Sequence, residues 1–320
     1  MLSFKPYISL FICLFFCIGC TQENTPIQPN FFLINTSPKG IYQNIDFGGE
    51  WQGINNGIAE NVRLIKQIIR WNGDLICVSF GGGVFKSTDN GKTWIPQNNG
   101  LSNDALSAYA ITNIGSKLFI ATLGGIFISN DNATTWQAKN AGLSGDALLV
   151  RTIYADANIL FVATADGIYK SEDMAESWSI SDVNLKGKAF HKHQGKLWFV
   201  SFANGIYASS DNGITWQSQH NGISQIADLQ GLSIYGIADK LYYGSMNGLF
   251  YSENAGTSWQ KLAFNTAGEA NHIHSIYQWN RYFMIGTGNG LYYSEDNGKS
   301  WTAQSNGLPT DTPIVGFFVE

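Results

Sequence analysis

Apolar and polar positions alternate in short bursts along this chain, and the bursts return at a nearly fixed distance. Runs such as LICVSF (75–80) and KLFIAT (117–122) are bounded by Gly, Asn and Asp, the pattern of short strands joined by tight turns. One repeat reads as a β run, a short turn, a second β run, a glycine that opens a third run, and a polar octet ending in tryptophan. The glycine recurs at Gly40, Gly83, Gly125, Gly167, Gly205, Gly248 and Gly290, and the tryptophan at Trp51, Trp94, Trp136, Trp178, Trp216, Trp259 and Trp301. The period is about 42 residues, with one shorter step of 38 between Gly167 and Gly205. Four short strands in a repeat of that length describe a propeller blade.

The two ends of the chain complete the count. FFLIN (31–35), GIY (40–42) and a worn octet, NIDFGGEW (44–51), precede the first full repeat, and PIVGFFVE (313–320) follows the last. Joined, they make one more repeat. The final run is therefore expected to form the inner strand of a blade whose other strands come first in sequence, which pairs otherwise open edges. The expected fold is all-β: a seven-bladed β-propeller of four-stranded antiparallel blades over residues 29–320, its last blade closed by the N- and C-terminal strands. Six blades would leave both terminal runs unused.

The octets STDNGKTW (87–94), SNDNATTW (129–136), SEDMAESW (171–178), SSDNGITW (209–216), SENAGTSW (252–259) and SEDNGKSW (294–301) share one template, S-x-D/N-x-G/A-x-S/T-W. Asp, Asn and Ser side chains bond the amides of their own turn, and Gly accepts a positive φ. Each tryptophan, Trp216 among them, is expected to lie buried beneath its hairpin. The template resembles the Asp-box, or BNR, repeat found in sialidases, sortilin-type receptors, photosystem II assembly factors and some glucanases. That resemblance implies that the octets join third and fourth strands on the rim away from the ligand face. The D-N-G core lacks the evenly placed carboxylates and terminal Glu of a calcium loop, so no metal and no cofactor is expected. The interblade loops NNGI (55–58), NNGL (98–101), NAGL (140–143), HNGI (220–223) and SNGL (305–308) read as register devices on the opposite face.

Only 13% of the residues are charged and the net charge is −5, which argues against a nucleic-acid surface. At the N-terminus Lys5 precedes an apolar run from Tyr7 to Gly19, too short to span a membrane. It ends in Cys17-Ile18-Gly19-Cys20, which resembles a bacterial lipoprotein signal, although Leu is usual where Cys17 stands. The resemblance implies removal of residues 1–19, lipid on Cys20, a short tether over 20–28, and export to the cell envelope, at the outer membrane, with the membrane as a partner through the anchor. An ordinary secretory peptide is the plainer alternative. After processing, Cys77 in LICVSF is the remaining free thiol, read as core.

Aligning the blades on Leu75, Leu118, Leu160, Leu197, Leu241 and Phe283 makes their positions comparable. Seven residues upstream stand Ile68, Ile111, Ile153, Phe190, Ile234 and Ile276, expected in the core. One place earlier are the small or polar Gln67, Ala110, Thr152, Ala189, Ser233 and Ser275. One more step back stand Lys66, Tyr109, Arg151, Lys188, Leu232 and His274, expected at the mouth of the central channel. Lys66, Tyr109, Arg151, Lys188 and His274 are the candidate ligand-binding residues, suited to an anionic or hydroxyl-rich ligand. In the plainer reading their stems lean on neighbouring strands while the charges reach water.

Catalysis needs more than this. Sialidases use three converging arginines, and of Arg63, Arg70, Arg151 and Arg281 the pair Arg70 and Arg281 falls on the octet rim. A glucanase-like hydrolase needs two carboxylates facing each other across a cleft, for which the loops offer Asp104, Asp146, Asp228, Glu269 and Asp311. The reading favoured here is an envelope lipoprotein whose propeller binds a protein or glycan without catalysis. The alternatives are a glycoside hydrolase and an assembly factor for a membrane protein complex.

Overall fold

The computed structural model describes residues 31–35, 39–45, 48–264 and 268–319. The expected signal segment 1–19, the tether 20–28 and the lipidation candidate Cys20 lie outside the described residues. Among the described residues the strands form seven separate four-stranded antiparallel sheets. Six blades are continuous in sequence. Their innermost strands are Ile65–Trp71, Ala108–Ile114, Val150–Asp156, Gly187–His193, Gly231–Ile237 and Ile273–Trp279, and they are called blades 1 to 6. Blade 7 takes its innermost strand, Ile314–Val319, from the end of the chain and pairs it with Phe31–Asn35. Phe31 faces Val319 and Leu33 faces Phe317 in that ladder. The split blade expected from the sequence is present.

The octet is a closed hydrogen-bonded turn. In blade 1 the Ser87 hydroxyl donates to Asp89 Oδ1 at 2.8 Å and accepts from the Gly91 amide at 2.8 Å. The Thr93 amide and hydroxyl donate to the two oxygens of Asp89 at 2.8 and 2.6 Å. Asp131, Asp173, Asp211 and Asp296 repeat the arrangement. These bonds to the ionised form hold Asp89, Asp173, Asp211 and Asp296 down at about 2, well below the usual carboxylate range.

The tryptophan that ends each octet reaches the preceding blade. Trp94 Nε1 donates to the Ile54 carbonyl at 2.8 Å, Trp136 to Gln97, Trp178 to Lys139, Trp259 to Gln219 and Trp51 to Gln304. In the same five blades the tryptophan amide bonds the preceding interblade loop, as Trp136 N does to Asn99 O at 2.9 Å. Gly100, at φ +92°, allows that approach, because a Cβ there would sit 2.0 Å from the Trp136 carbonyl oxygen. The N-G-L/I loop is thus a stitch between blades as well as a register device. Its first Asn serves the other side: Asn98 Oδ1 accepts from the Val84 amide at 2.8 Å, and Asn98 Nδ2 donates to the Gly82 carbonyl.

Trp216 departs from expectation. It is only partly buried, and its indole donates to the Ser181 hydroxyl at 3.0 Å instead of a loop carbonyl. The cause is local: the segment between blades 3 and 4 has no N-G pair to seat the tryptophan. Trp301, behind another loop without that pair, is also partly buried, and its Nε1 is enclosed without a partner.

Nearly every apolar cluster straddles a blade boundary. Ile76 and Val84 of blade 1 pack with Ile111, Ile120 and Trp136 of blade 2, and Phe31 and Trp51 of blade 7 pack with Met284 and Leu291 of blade 6. Ile68, Ile111, Ile153, Phe190, Ile234 and Ile276 are all buried, as is Cys77. Because Trp136 is 5% exposed and bonded twice to blade 1, Trp136→Ala should cost about 3–5 kcal/mol. Denaturant unfolding of the variant measures this, and a loss below that of Trp216→Ala would contradict the stitch.

Candidate functional site

Each innermost strand starts at the rim that carries the interblade loops and ends at the octet rim. Its second residue therefore stands at the mouth of the ring, on the side away from the octets. The structure brings the five candidates together there. Lys66, Tyr109, Arg151, Lys188 and His274 all line one central cavity of about 560 Å³, together with residues of the other two blades, Leu232 and Val315–Phe317. Deeper in the ring the lining narrows to the small set read from the sequence, including Ala110, Thr152, Ala189, Ser233 and Ser275. Those positions also bridge blades. Gln67 Oε1 accepts from the Ile111 amide at 2.9 Å, and the Ser233 hydroxyl donates to the Ile273 carbonyl at 3.1 Å.

The charges at the mouth differ in how they are held. Lys66 Nζ lies 5.5 Å from the Tyr109 ring centre and 5.8 Å from that of Phe80, and the two rings meet edge to face. That aromatic corner stabilises the ammonium. Burial lowers the Lys66 pKa. Lys188 is exposed to the cavity, but the converging strands replace part of the bulk solvent around it. That loss of solvation, with the Lys66 charge added, lowers Lys188 to about 8. Burial, followed by the nearby Lys188 charge and His272, brings His274 down to about 3, so it is a neutral imidazole at pH 7. Its Nδ1 is enclosed without a hydrogen-bond partner. Arg151 is exposed and makes no hydrogen bond or ion pair among the described residues.

The carboxylates lie elsewhere. Asp104 and Asp146 are exposed on single-turn helices, Asn103–Leu106 and Gly145–Leu148. Asp228 is buried, bonded by Asn247 Nδ2 at 2.8 Å and approached by Lys261 at 3.5 Å. Asp311 is exposed in the loop before blade 7, and the side chain of Glu269 lies outside the described residues. Asp104, Asp146, Asp228 and Asp311 do not line the cavity. Of the four arginines only Arg151 does. Arg63 donates to the Ile58 carbonyl, Arg70 bonds Asn90 of an octet, and Arg281 pairs with Glu295.

A family model described as the BNR/Asp-box repeat matches residues 292–303, the last octet and its flanks. The chain is a β-propeller that carries an Asp-box repeat. No curated protein matches this propeller in sequence. Among solved structures it is similar to a GH74 xyloglucanase from Xanthomonas campestris, with 14% identity and a TM-score of 0.65, over 85% of this chain and 52% of that one. It is also similar to the extracellular domain of a protein described as a one component system from B. thetaiotaomicron, at 15% identity and TM-score 0.63, over 77% of this chain and 34% of that one. A third is YCF48 from Cyanidioschyzon merolae, at 15% identity and TM-score 0.56, over 80% and 94% of the two chains. The propeller thus spans about half of the first and a third of the second. At these identities the likeness is one of fold.

The electrostatic arrangement at the mouth can be read directly. Lys188 should titrate near 8 in a pH series of side-chain NMR spectra, and Lys66→Met should raise that midpoint by removing the adjacent charge. A Lys188 midpoint at the ordinary lysine value would mean that the mouth is open water.

Proposed function

We propose that this Asp-box propeller binds an anionic ligand, a protein or a glycan, at the mouth of its ring and does so without catalysis. One observation carries the reading: Lys66, Arg151 and Lys188, from three blades of an acidic protein, converge on a cavity whose lining, among the described residues, contains no carboxylate. Two facing carboxylates are what a glycoside hydrolase would need. Arg151 offers a planar fork for a carboxylate or phosphate, and Lys188 adds a point charge beside it. One similar fold is described with a peptide partner, YCF48 bound to D1 peptide.

The test is a glycan and acidic-peptide array combined with a panel of chromogenic glycosides. Arg151→Ala should weaken binding of the anionic hits by about 1.5–3 kcal/mol, the range for a hydrogen bond to a charged group. Added salt should weaken it further. Affinity should be full below pH 8 and fall as pH rises through it, because an anion prefers the protonated Lys188. Glycoside turnover that survives Arg151→Ala would move the function to the loop carboxylates.

The second half of the proposal concerns location. Cys17-Ile18-Gly19-Cys20 supports cleavage before Cys20, acylation of that thiol and attachment at the outer membrane. The nine residues to Gln28 would tether the ring close to the bilayer. Mass spectrometry of membrane-bound protein should find a di- or triacylated cysteine at the mature start. A soluble product beginning elsewhere would remove the anchor.

A further inference from the structure

The boundary between blades 3 and 4 is unlike the others, and it lies beside Arg151. Five interblade segments carry a single helical turn, at Glu60–Val62, Asn103–Leu106, Gly145–Leu148, Ile226–Leu229 and Gly268–Asn271. The segment before blade 7 has no such turn but keeps the N-G stitch, Gly307 lying against Trp51. Among the described residues, only 183–186 lacks both. The short 38-residue step in the repeat falls here. This boundary opens into a second cavity of about 310 Å³.

This side cavity is lined by Thr164, Asn184, Lys186, Ser201, Phe202 and Asn204, and it shares Arg151, Gly187 and Phe202 with the central one. Phe202 is 51% exposed, a large apolar ring held at the junction of the two. The polar groups around it are divided between structure and solvent. The Asn184 amide donates to Asp182 Oδ1 at 2.7 Å and the Asn204 amide to Ser201 Oγ at 3.2 Å, so both backbones are fixed. The side-chain carboxamides of Asn184 and Asn204 make no hydrogen bond among the described residues. Asp182, the nearest acid on this segment, is occupied by the amides of Asn184 and Leu185.

A flat aromatic face, two free carboxamides and two cations suit a sugar ring that carries an acid group. The ring's C–H face packs on the aromatic, hydroxyls pair with carboxamides, and the acid meets the guanidinium. A peptide would want recesses lined by large aliphatic side chains, and apart from Phe202 this lining holds no apolar side chain larger than Ala. We propose that the side cavity and the central cavity form one groove for an acidic oligosaccharide, with one sugar on Phe202 between Asn184 and Asn204 and an acid group on Arg151. This rests on the reading of the mouth as an anion site, and it adds a second subsite and a ligand class.

Calorimetry with galacturonate, hexagalacturonate, neutral cellohexaose and a hexaglutamate peptide tests it on the purified protein. Hexagalacturonate should bind at least about tenfold more tightly than the monomer, and cellohexaose more weakly than either. Phe202→Ala should remove about tenfold of hexamer affinity and a smaller part of the monomer's, whereas Arg151→Ala should weaken both alike. Because Phe202 is exposed, its variant should keep the parent melting temperature. A hexamer that binds no better than the monomer, or that ignores Phe202→Ala, overturns the second subsite while leaving the central anion site in place. Failure of every anion to respond to Arg151→Ala overturns the central site itself. Hexaglutamate binding that depends on Phe202 and exceeds that of hexagalacturonate overturns the sugar assignment.

Discussion

In six of the seven blades the indole of the octet tryptophan is satisfied by the blade before it. This matters because no β ladder crosses a blade boundary: the seven sheets are separate. Cohesion of the ring rests on apolar packing between adjacent sheets and on a small number of directed bonds. Packing alone is non-directional and would tolerate sliding of one twisted sheet over the next. The Trp amide and indole, both bonded to the preceding loop, fix the offset. Bonds such as Gln67 to Ile111 and Ser233 to Ile273 fix the inner strands in the same way. The Asp-box hairpin holds each tryptophan in position for this reach, which explains why such a rigid turn ends in so large a side chain.

Much of this was legible in the sequence because each blade must solve the same problem. The period sets the blade count, and the split repeat sets the closure. Counting upstream from Leu75 and its equivalents located the core layer, the small layer and the mouth, since a strand's register is preserved from blade to blade. The indole's partner was not legible. It is a backbone carbonyl, and backbone carries no sequence signal. Trp216 shows the same limit: its octet is intact, but its burial depends on a loop of the neighbouring blade.

Packing also explains why chemistry collects at the mouth. Seven inner strands converge on one axis, and the layer below the mouth, Gln67, Ala110, Thr152, Ala189, Ser233 and Ser275, is mostly small. One residue nearer the rim there is room for Lys, Arg, Tyr and His. Protein on all sides of that ring removes solvent from the cations, which lowers Lys188 and neutralises His274. The mouth therefore combines two lysines whose charges are partly desolvated, Lys66 and Lys188, with an exposed Arg151.

A ring of seven similar blades presents nearly the same surface seven times, whereas a ligand is asymmetric. Recognition therefore needs a place where the repeat is broken. Four of the boundaries are closed by both a helical turn and an N-G stitch, and a fifth and sixth keep one of the two. The boundary at 183–186 keeps neither, and its consequences run in both directions. On the octet side the tryptophan of blade 4 is left partly exposed and must accept a serine hydroxyl as its partner. On the mouth side the same shortening uncovers Phe202 and the Asn184 and Asn204 carboxamides next to Arg151. The weakest joint in the ring and its most distinctive surface thus come from one local shortening of the chain.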